Sequence, residues 1–521
     1  MDWMVIVPAL VNAIAVILAS LFYIHMLQLE SYQGRMYAKW VYRHIYKPFP
    51  FYFIGALAGG ALMAAFGPAI AWLPDMTAFC GLFAFFYLSR KTPSKKPLAY
   101  TGRIKRLISA LAVLVAGVFS LSLLTGCAWI RLIPGALLPV TVFIAYALTY
   151  PIEEGVKKWY FNDARKKINR LQKLSVVGLT GSFGKTSTKF FLGTILSEIY
   201  NVLVTPASYN TPMGITKVIR GSLNESHDVF VAEMGARYVG DIEELCRLTS
   251  PQIGIITSVG KQHLETFGSY SNIIRTKGEL LDALPASGAA FANGDNPDCV
   301  DMLNAAKHVK NRFLFGIHGN NLYMRAQDIA VGEWGSSFTL LAQNGETAKC
   351  KTQLLGEHNI LNITGAAACA YYMGMPIEQI SAGIKKLKPV EHRLELIPGP
   401  VTVIDDTFNA NPAGVKAAVD VLKEFHGRRI IVTPGMVELG EEEDALNEEF
   451  GRKMASGADI VILVGKRHAD PMEKGLKAEG FPGECIVRTD NLDQATAKLP
   501  LYAPPGSVVL FINDLPDNYN E

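Results

Sequence analysis

Residues 4–27 read MVIVPALVNAIAVILASLFYIHML, twenty-four residues without an acid, a lysine or an arginine. Such a run is long enough to cross a bilayer as a helix, and few water-soluble folds could absorb it. Residues 51–89 are almost continuously apolar, broken near WLPDM, and read as two crossings, the second rather short. LISALAVLVAGVFSLSLLTG (107–126) and IRLIPGALLPVTVFIAYALTY (130–150) supply two more. The first run has no basic leader and is followed by further spans, so it reads as an anchor and not as a cleaved signal. Residues 1–150 are thus expected to form a membrane domain of about five transmembrane helices.

Basic segments orient these spans. Arg35, Lys39, Arg43 and Lys47 follow the first; RKTPSKKPLAYTGRIKR, with seven Lys or Arg and no acid, follows the third. Lys157, Lys158, Arg165, Lys166, Lys167, Arg170 and Lys173 follow the fifth. Alternating crossings put all three segments on one face, and that face should be cytoplasmic. The expectation is a multi-pass protein of the cytoplasmic (inner) membrane with its N-terminus outside. Residues 151–174 would be a basic cytosolic linker, and all that follows would be cytosolic. Apart from Arg131 the spans hold almost no ionisable residue, which fits a lipid-embedded anchor better than a transporter. A net charge of +3 over 521 residues gives no case for nucleic acid as a partner. Seven scattered cysteines with no C-x-x-C pair argue against a zinc cluster or a disulfide framework and fit a reducing compartment.

From about residue 175 the pattern changes. SVVGL, VLVTP, DVFVAEMG, IGIITSV and AAFAN are candidate strands, separated by helical stretches such as KTSTKFFLGTILSEIY and SNIIRTKGELLDAL. That alternation predicts a parallel sheet covered by helices. A second series, VTVIDD, RIIVTPG, DIVILVG and SVVLFIN, begins near 400. The expected fold class is an α-helical transmembrane region followed by α/β: a P-loop-type central ATPase domain with a parallel sheet (175–392), then a smaller Rossmann-like C-terminal domain (393–521).

The sharpest motif is GLTGSFGKTSTKF at 178–190. After a strand and before a helix, Gly181 and Gly184 let the backbone curl around phosphate oxygens. Lys185 reaches the outer phosphates, and the Thr186 hydroxyl can hold magnesium. Thr180, Ser182 and Ser187 complete the T-G-x-x-G-K-T-S-T run. The motif departs from the standard P-loop spacing because residue 179 is Leu.

This loop resembles that of the Mur ligase family, ATP-dependent enzymes that join an amino acid or dipeptide to a carboxylate while building cell-wall peptides. The resemblance extends through SYNTPMGI (208–215), VAEMGA (231–236), TSVGKQHLETFGS (257–269), TKGELLDALP (276–285), GEHNILNITGAAACA (356–370), EHRLE (391–395) and DDTFNANP (405–412), in the family's order and over roughly 175–470. Within the family the wording is most similar to the branch that adds D-alanyl-D-alanine to a UDP-linked muramoyl tripeptide. The resemblance implies ATP and Mg2+, with Thr186, Glu233 and His263 as metal ligands and Lys277 as a carbamate helping to hold a second magnesium. It places Asn359 and Asn362 on the adenine side and Arg393 on the γ-phosphate. It also implies that a carboxylate at 405 or 406 faces the nucleotide; neighbours on a strand point opposite ways, so only one does, and Asp406 is the one favoured. Lys185, Lys277, Arg393 and His263 are the expected catalytic residues.

Two departures matter. The family's N-terminal UDP-sugar domain is missing, with membrane spans in its place. Its late K-G-S segment is also absent; the chain instead reads FINDLPDNYNE. The expected function is a membrane-anchored ATP-dependent carboxylate–amine ligase acting through an acyl phosphate on a cell-wall peptide precursor. The donor would be lipid-linked or presented by a membrane-bound partner protein, and the acceptor an amino acid or dipeptide. Two alternatives stand beside it: a ligase of this fold extending a poly-γ-glutamate or folate chain, and a non-catalytic membrane scaffold with a retained nucleotide fold.

Overall fold

The computed structural model describes residues 3–30, 32–43, 72–90, 97–262, 264–408, 411–437 and 439–513, together with five isolated residues between 54 and 65. The chain divides into two compact units, Met1–Trp159 and Tyr160–Glu521.

In the first unit two helices are long and apolar enough to cross a membrane, Ile6–Leu29 and Gly102–Thr125. The expected crossing at 130–150 is not one straight helix. Trp129–Ala136 and Leu138–Arg170 meet at an 85° bend and count as a span only if taken together. Pro139 explains the break: it offers no N–H to the preceding turn, and its ring clashes with a continuing helix. The described residues therefore contain two candidate crossings, or three with the bent pair, against the five expected. Of the two expected in 51–89, the first lies outside the described residues apart from isolated positions. The second is the short helix Leu73–Arg90. The basic stretch expected as a linker is helical through Arg170.

This unit also buries an ion pair. Arg131 Nη2 lies 2.6 Å from Asp75 Oδ2, and both side chains are almost wholly enclosed. Asn12 Nδ2 approaches the other carboxylate oxygen at 3.5 Å. The WLPDM break thus supplies the partner that Arg131 needs in an apolar interior. Arg106 grips Glu153 through two hydrogen bonds of 2.6 and 2.8 Å.

The second unit holds two sheets. The larger comprises β1 (Ser175–Thr180), β2 (Val202–Val204), β3 (Val229–Glu233), β4 (Ile253–Ile256), β5 (Ala289–Asn293), β6 (Asn311–Gly316), β7 (Met324–Gly332), β8 (Gly335–Ala342) and β9 (Thr347–Thr352). Their order is β2-β3-β1-β4-β5-β6-β7-β8-β9. Pairing is parallel from β2 to β7 and antiparallel among β7, β8 and β9. Strands β1, β3, β4 and β5 are buried almost throughout and read as continuous apolar runs because helices cover both faces. Helices Lys185–Leu196, Glu357–Tyr372 and Ile377–Lys385 share a core on one face. Pro212–Gly221, Asp241–Thr249 and the end of Leu138–Arg170 pack on the other.

The smaller sheet contains β10 (Glu395–Ile397), β11 (Thr402–Asp406), β12 (Arg429–Thr433), β13 (Ile460–Val464), β14 (Ile486–Thr489) and β15 (Val508–Ile512), in the order β10-β11-β15-β12-β13-β14. All pairings but the β10 edge are parallel.

Candidate active site

Register places the first acidic group. In the parallel β1–β3 pair Leu179 stands beside Glu233, so the carboxylate ends its strand where the glycine loop begins. The strand order reverses around β1, and the carboxyl ends at such a reversal are where open α/β sheets bind ligands.

The loop itself is clamped from below by residues 257–260. Ser182 N donates to Ser258 O at 2.7 Å, Ser182 Oγ bridges Gly260, and Phe183 N donates to Ser258 Oγ. A β-carbon on Gly181 would collide with Thr257 Oγ1, and one on Gly184, at φ 78°, with the Asn362 amide. Glycine is required at both places, and Asn362 is thereby brought against the loop. Thr180 Oγ1 donates to Met234 O at 2.9 Å and serves the scaffold. Ser187 is buried in the first turn of helix Lys185–Leu196.

Four segments meet above this loop. Thr186 Oγ1 donates to Glu233 Oε1 at 3.1 Å, and Asn210 Nδ2 donates to the same oxygen at 3.0 Å. Arg393 Nη2 reaches Thr186 Oγ1 at 3.3 Å while its guanidinium lies over the Phe408 ring, 4.7 Å from the centroid. Lys185 folds back on its own loop, donating to Gly181 O at 2.6 Å and Ser182 O at 2.9 Å. Burial pulls its ammonium down to about 8, with Glu233 opposing and Arg393 adding. Burial alone would raise the Glu233 carboxyl, but Lys189 and Lys185 outweigh it and hold it below its usual range.

The other expected residues stand as follows. Lys277 is buried on helix Tyr270–Asp282, its Nζ 5.9 Å from the Phe267 ring centroid. Burial first, then Lys185, drives its pKa well below the ordinary lysine value. Asp406 accepts from Leu394 N at 3.3 Å, and burial raises it to about 7 although Arg393 opposes this. Asp405 faces away, paired with His392 Nδ1 at 2.7 Å. Asn359 donates to Leu355 O within its own helix start, so its amide nitrogen serves the local turn. His263 lies outside the described residues. Sequence reasoning gave no role to Asn210, although it sits in SYNTPMGI, or to Lys189, which reads as an ordinary helix lysine one turn after Lys185.

Comparison with known proteins accounts for this constellation. A model of the Mur ligase middle domain matches residues 179–370, and one of the Mur ligase glutamate ligase domain matches 392–512. The UDP-N-acetylmuramoyl-tripeptide–D-alanyl-D-alanine ligase of Escherichia coli K12 is 36% identical over 321 residues, 60% of this chain and 70% of that protein. The chain belongs to the Mur ligase family. A Mur ligase structure, MurF from Acinetobacter baumannii, superposes with a TM-score of 0.63 at 27% identity, covering 69% of this chain and 77% of that one. MurF from Thermotoga maritima, solved with ADP, gives 0.62 at 26% identity, covering 69% and 80%. The second unit thus has the Mur ligase α/β fold, and the protein is an ATP-dependent ligase by class.

The residues also fit a divalent cation. Glu233 Oε2 is buried with the Lys189 ammonium 3.0 Å away, Thr186 Oγ1 lies against the same carboxylate, and a hydroxyl and a carboxylate are the oxygen donors that magnesium takes.

Proposed function

We propose that this chain is a membrane-anchored ligase of peptidoglycan assembly. It joins a short amine acceptor, of which D-alanyl-D-alanine is the model, to the terminal carboxylate of a muramoyl-peptide-type donor. The observation that carries this reading is the meeting of Lys185, Thr186, Glu233 and Arg393, from three separate segments, at one glycine loop. The amide bond requires the carboxylate to be phosphorylated first, and the terminal phosphoryl group must shed negative charge as it transfers. Lys185 is placed to exchange its two loop carbonyls for phosphate oxygens. Arg393, held over the Phe408 ring, brings a permanent charge to the same point. Thr186 and Glu233 would hold Mg2+, which supplies further charge neutralisation at the phosphates. Burial favours the neutral amine of Lys277, the form that adds carbon dioxide: a C–N bond forms, one proton leaves, and a carbamate replaces the cation.

The two apolar helices Ile6–Leu29 and Gly102–Thr125, with the bent pair, support anchoring in the cytoplasmic membrane. They also support a donor that is itself lipid-linked. The test uses detergent-solubilised protein with ATP, magnesium and D-alanyl-D-alanine, offered UDP-linked or lipid-linked muramoyl tripeptide. Phosphate release should need both donor and acceptor, and the lipid-linked donor should gain the mass of the dipeptide residue. Turnover with the UDP-linked donor alone would remove the lipid-linked proposal, and ATP turnover unaltered in Lys185→Ala would remove the ligase reading.

A further inference from the structure

Lys189 is completely enclosed, yet the chemistry derived above does not use it. It sits one turn after Lys185, so both ammonium groups rise from the same helix face toward the end of β3. Its Nζ donates to Ala207 O at 2.6 Å and stands 3.0 Å from Glu233 Oε2. Oε2 has that ammonium as its neighbour, whereas Oε1 accepts from both Thr186 and Asn210. Lys189 therefore balances the charge of the carboxylate and occupies the side of Oε2 that Thr186 and Asn210 leave to it. It also ties that carboxylate to the segment carrying Ala207, which holds a left-handed φ of 41° next to SYNTPMGI.

We propose that Lys189 is a positioning residue: an internal counter-cation that holds the Glu233 carboxylate aimed at the loop and, by its place beside Oε2, limits how tightly that carboxylate holds a divalent cation. A metal arriving at Oε2 must share the carboxylate with a fixed positive charge about 3 Å away, a repulsion that stays substantial in a poorly solvated site. A buried carboxylate stripped of that partner loses its nearest counter-charge, and a metal would replace it. The inference rests on the reading of Glu233 as a metal ligand.

The experiment uses the full-length protein in detergent and the nearly isosteric, uncharged Lys189→Met. Mn2+ binding is followed by electron paramagnetic resonance without nucleotide, and melting is recorded with and without Mg2+. Lys189→Met should melt lower than wild type in chelator, recover more on addition of Mg2+, and bind Mn2+ more tightly by roughly threefold or more, the direction expected on removing a competing cation. Lys189→Arg keeps the charge and should keep wild-type Mn2+ affinity, which makes the comparison available even if the Met variant folds poorly. Equal or weaker Mn2+ binding in Lys189→Met, or an unchanged response of its melting to Mg2+, would overturn the counter-cation role. Wild-type Mn2+ binding that survives Glu233→Gln unaltered would instead overturn the metal-ligand reading beneath it.

Discussion

Lys185 already engages two carbonyls of its own loop, and Arg393 already lies over the Phe408 ring, so each cation is held at the loop before any phosphate arrives. Removing either should act on the transferring phosphoryl group more than on folding. Lys185→Ala and Arg393→Ala are each expected to lower ligase turnover by about 100-fold or more, in line with loss of one preorganised charge. Steady-state phosphate release checks this, with unchanged melting as the control. Asp406 gives a pH signature. Its folded-state value of about 7 lies above its ordinary 3.8, so between those values the folded state holds a proton that the unfolded chain has shed. Stability contributed by this group must then fall as pH rises through that window and level off above about 7. Asp406→Asn should flatten the decline in denaturant melts between pH 5 and 7, while an identical slope would place the proton elsewhere. The glycine loop, Glu233 and Arg393 stood out in the sequence because their motifs are short and contiguous. Lys189 and Asn210 did not, because a helical lysine and a loop asparagine look alike whether they face water or a buried carboxylate.

At the scale of elements, continuous apolar runs marked β1, β3, β4, β5 and most of the smaller sheet, since strands covered on both faces leave no polar positions to confuse the pattern. The antiparallel segment β7–β9 went unread for the opposite reason. Its strands alternate buried and half-exposed residues, and β7 is interrupted by a register shift between Gln327 and Ala330, where Asp328 adopts φ 52°. A bulge slips the two-residue period and hides the strand. The bend before Leu138 was equally hidden, because hydropathy counts apolar residues and is blind to a proline's missing N–H. The loop-to-helix junction offers a test at this scale. Gly184→Ala would place a methyl group against Asn362 at a φ of 78°, so it should lose stability by about 1–2 kcal/mol and weaken ADP binding as well. Calorimetric melting and ADP titration measure the two effects separately. In the first unit, Arg131→Leu should strand Asp75 and lower thermal stability in detergent by about 3–5 kcal/mol. The double variant with Asp75→Leu should recover much of that loss, because an apolar pair carries no desolvation penalty.

At the scale of the whole molecule, loop charge and the chemistry of the second unit make a joint demand: the site must lie on the side that holds ATP. The orientation proposed from the basic segments puts the turn between the crossing that ends at Thr125 and the bent pair on the opposite side. Cys127 lies in that turn and is exposed, whereas Cys485 belongs to the second unit and is only partly covered. A membrane-impermeant maleimide applied to intact cells should therefore label Cys127, and Cys485 should react only after permeabilisation. Single-cysteine variants at the two positions make the readings independent. Labelling of Cys485 in intact cells would place the glycine loop away from the cell's nucleotide pool. Protection of Cys127 alone would instead mean that the bent pair Trp129–Ala136 and Leu138–Arg170 does not cross between the two cysteines.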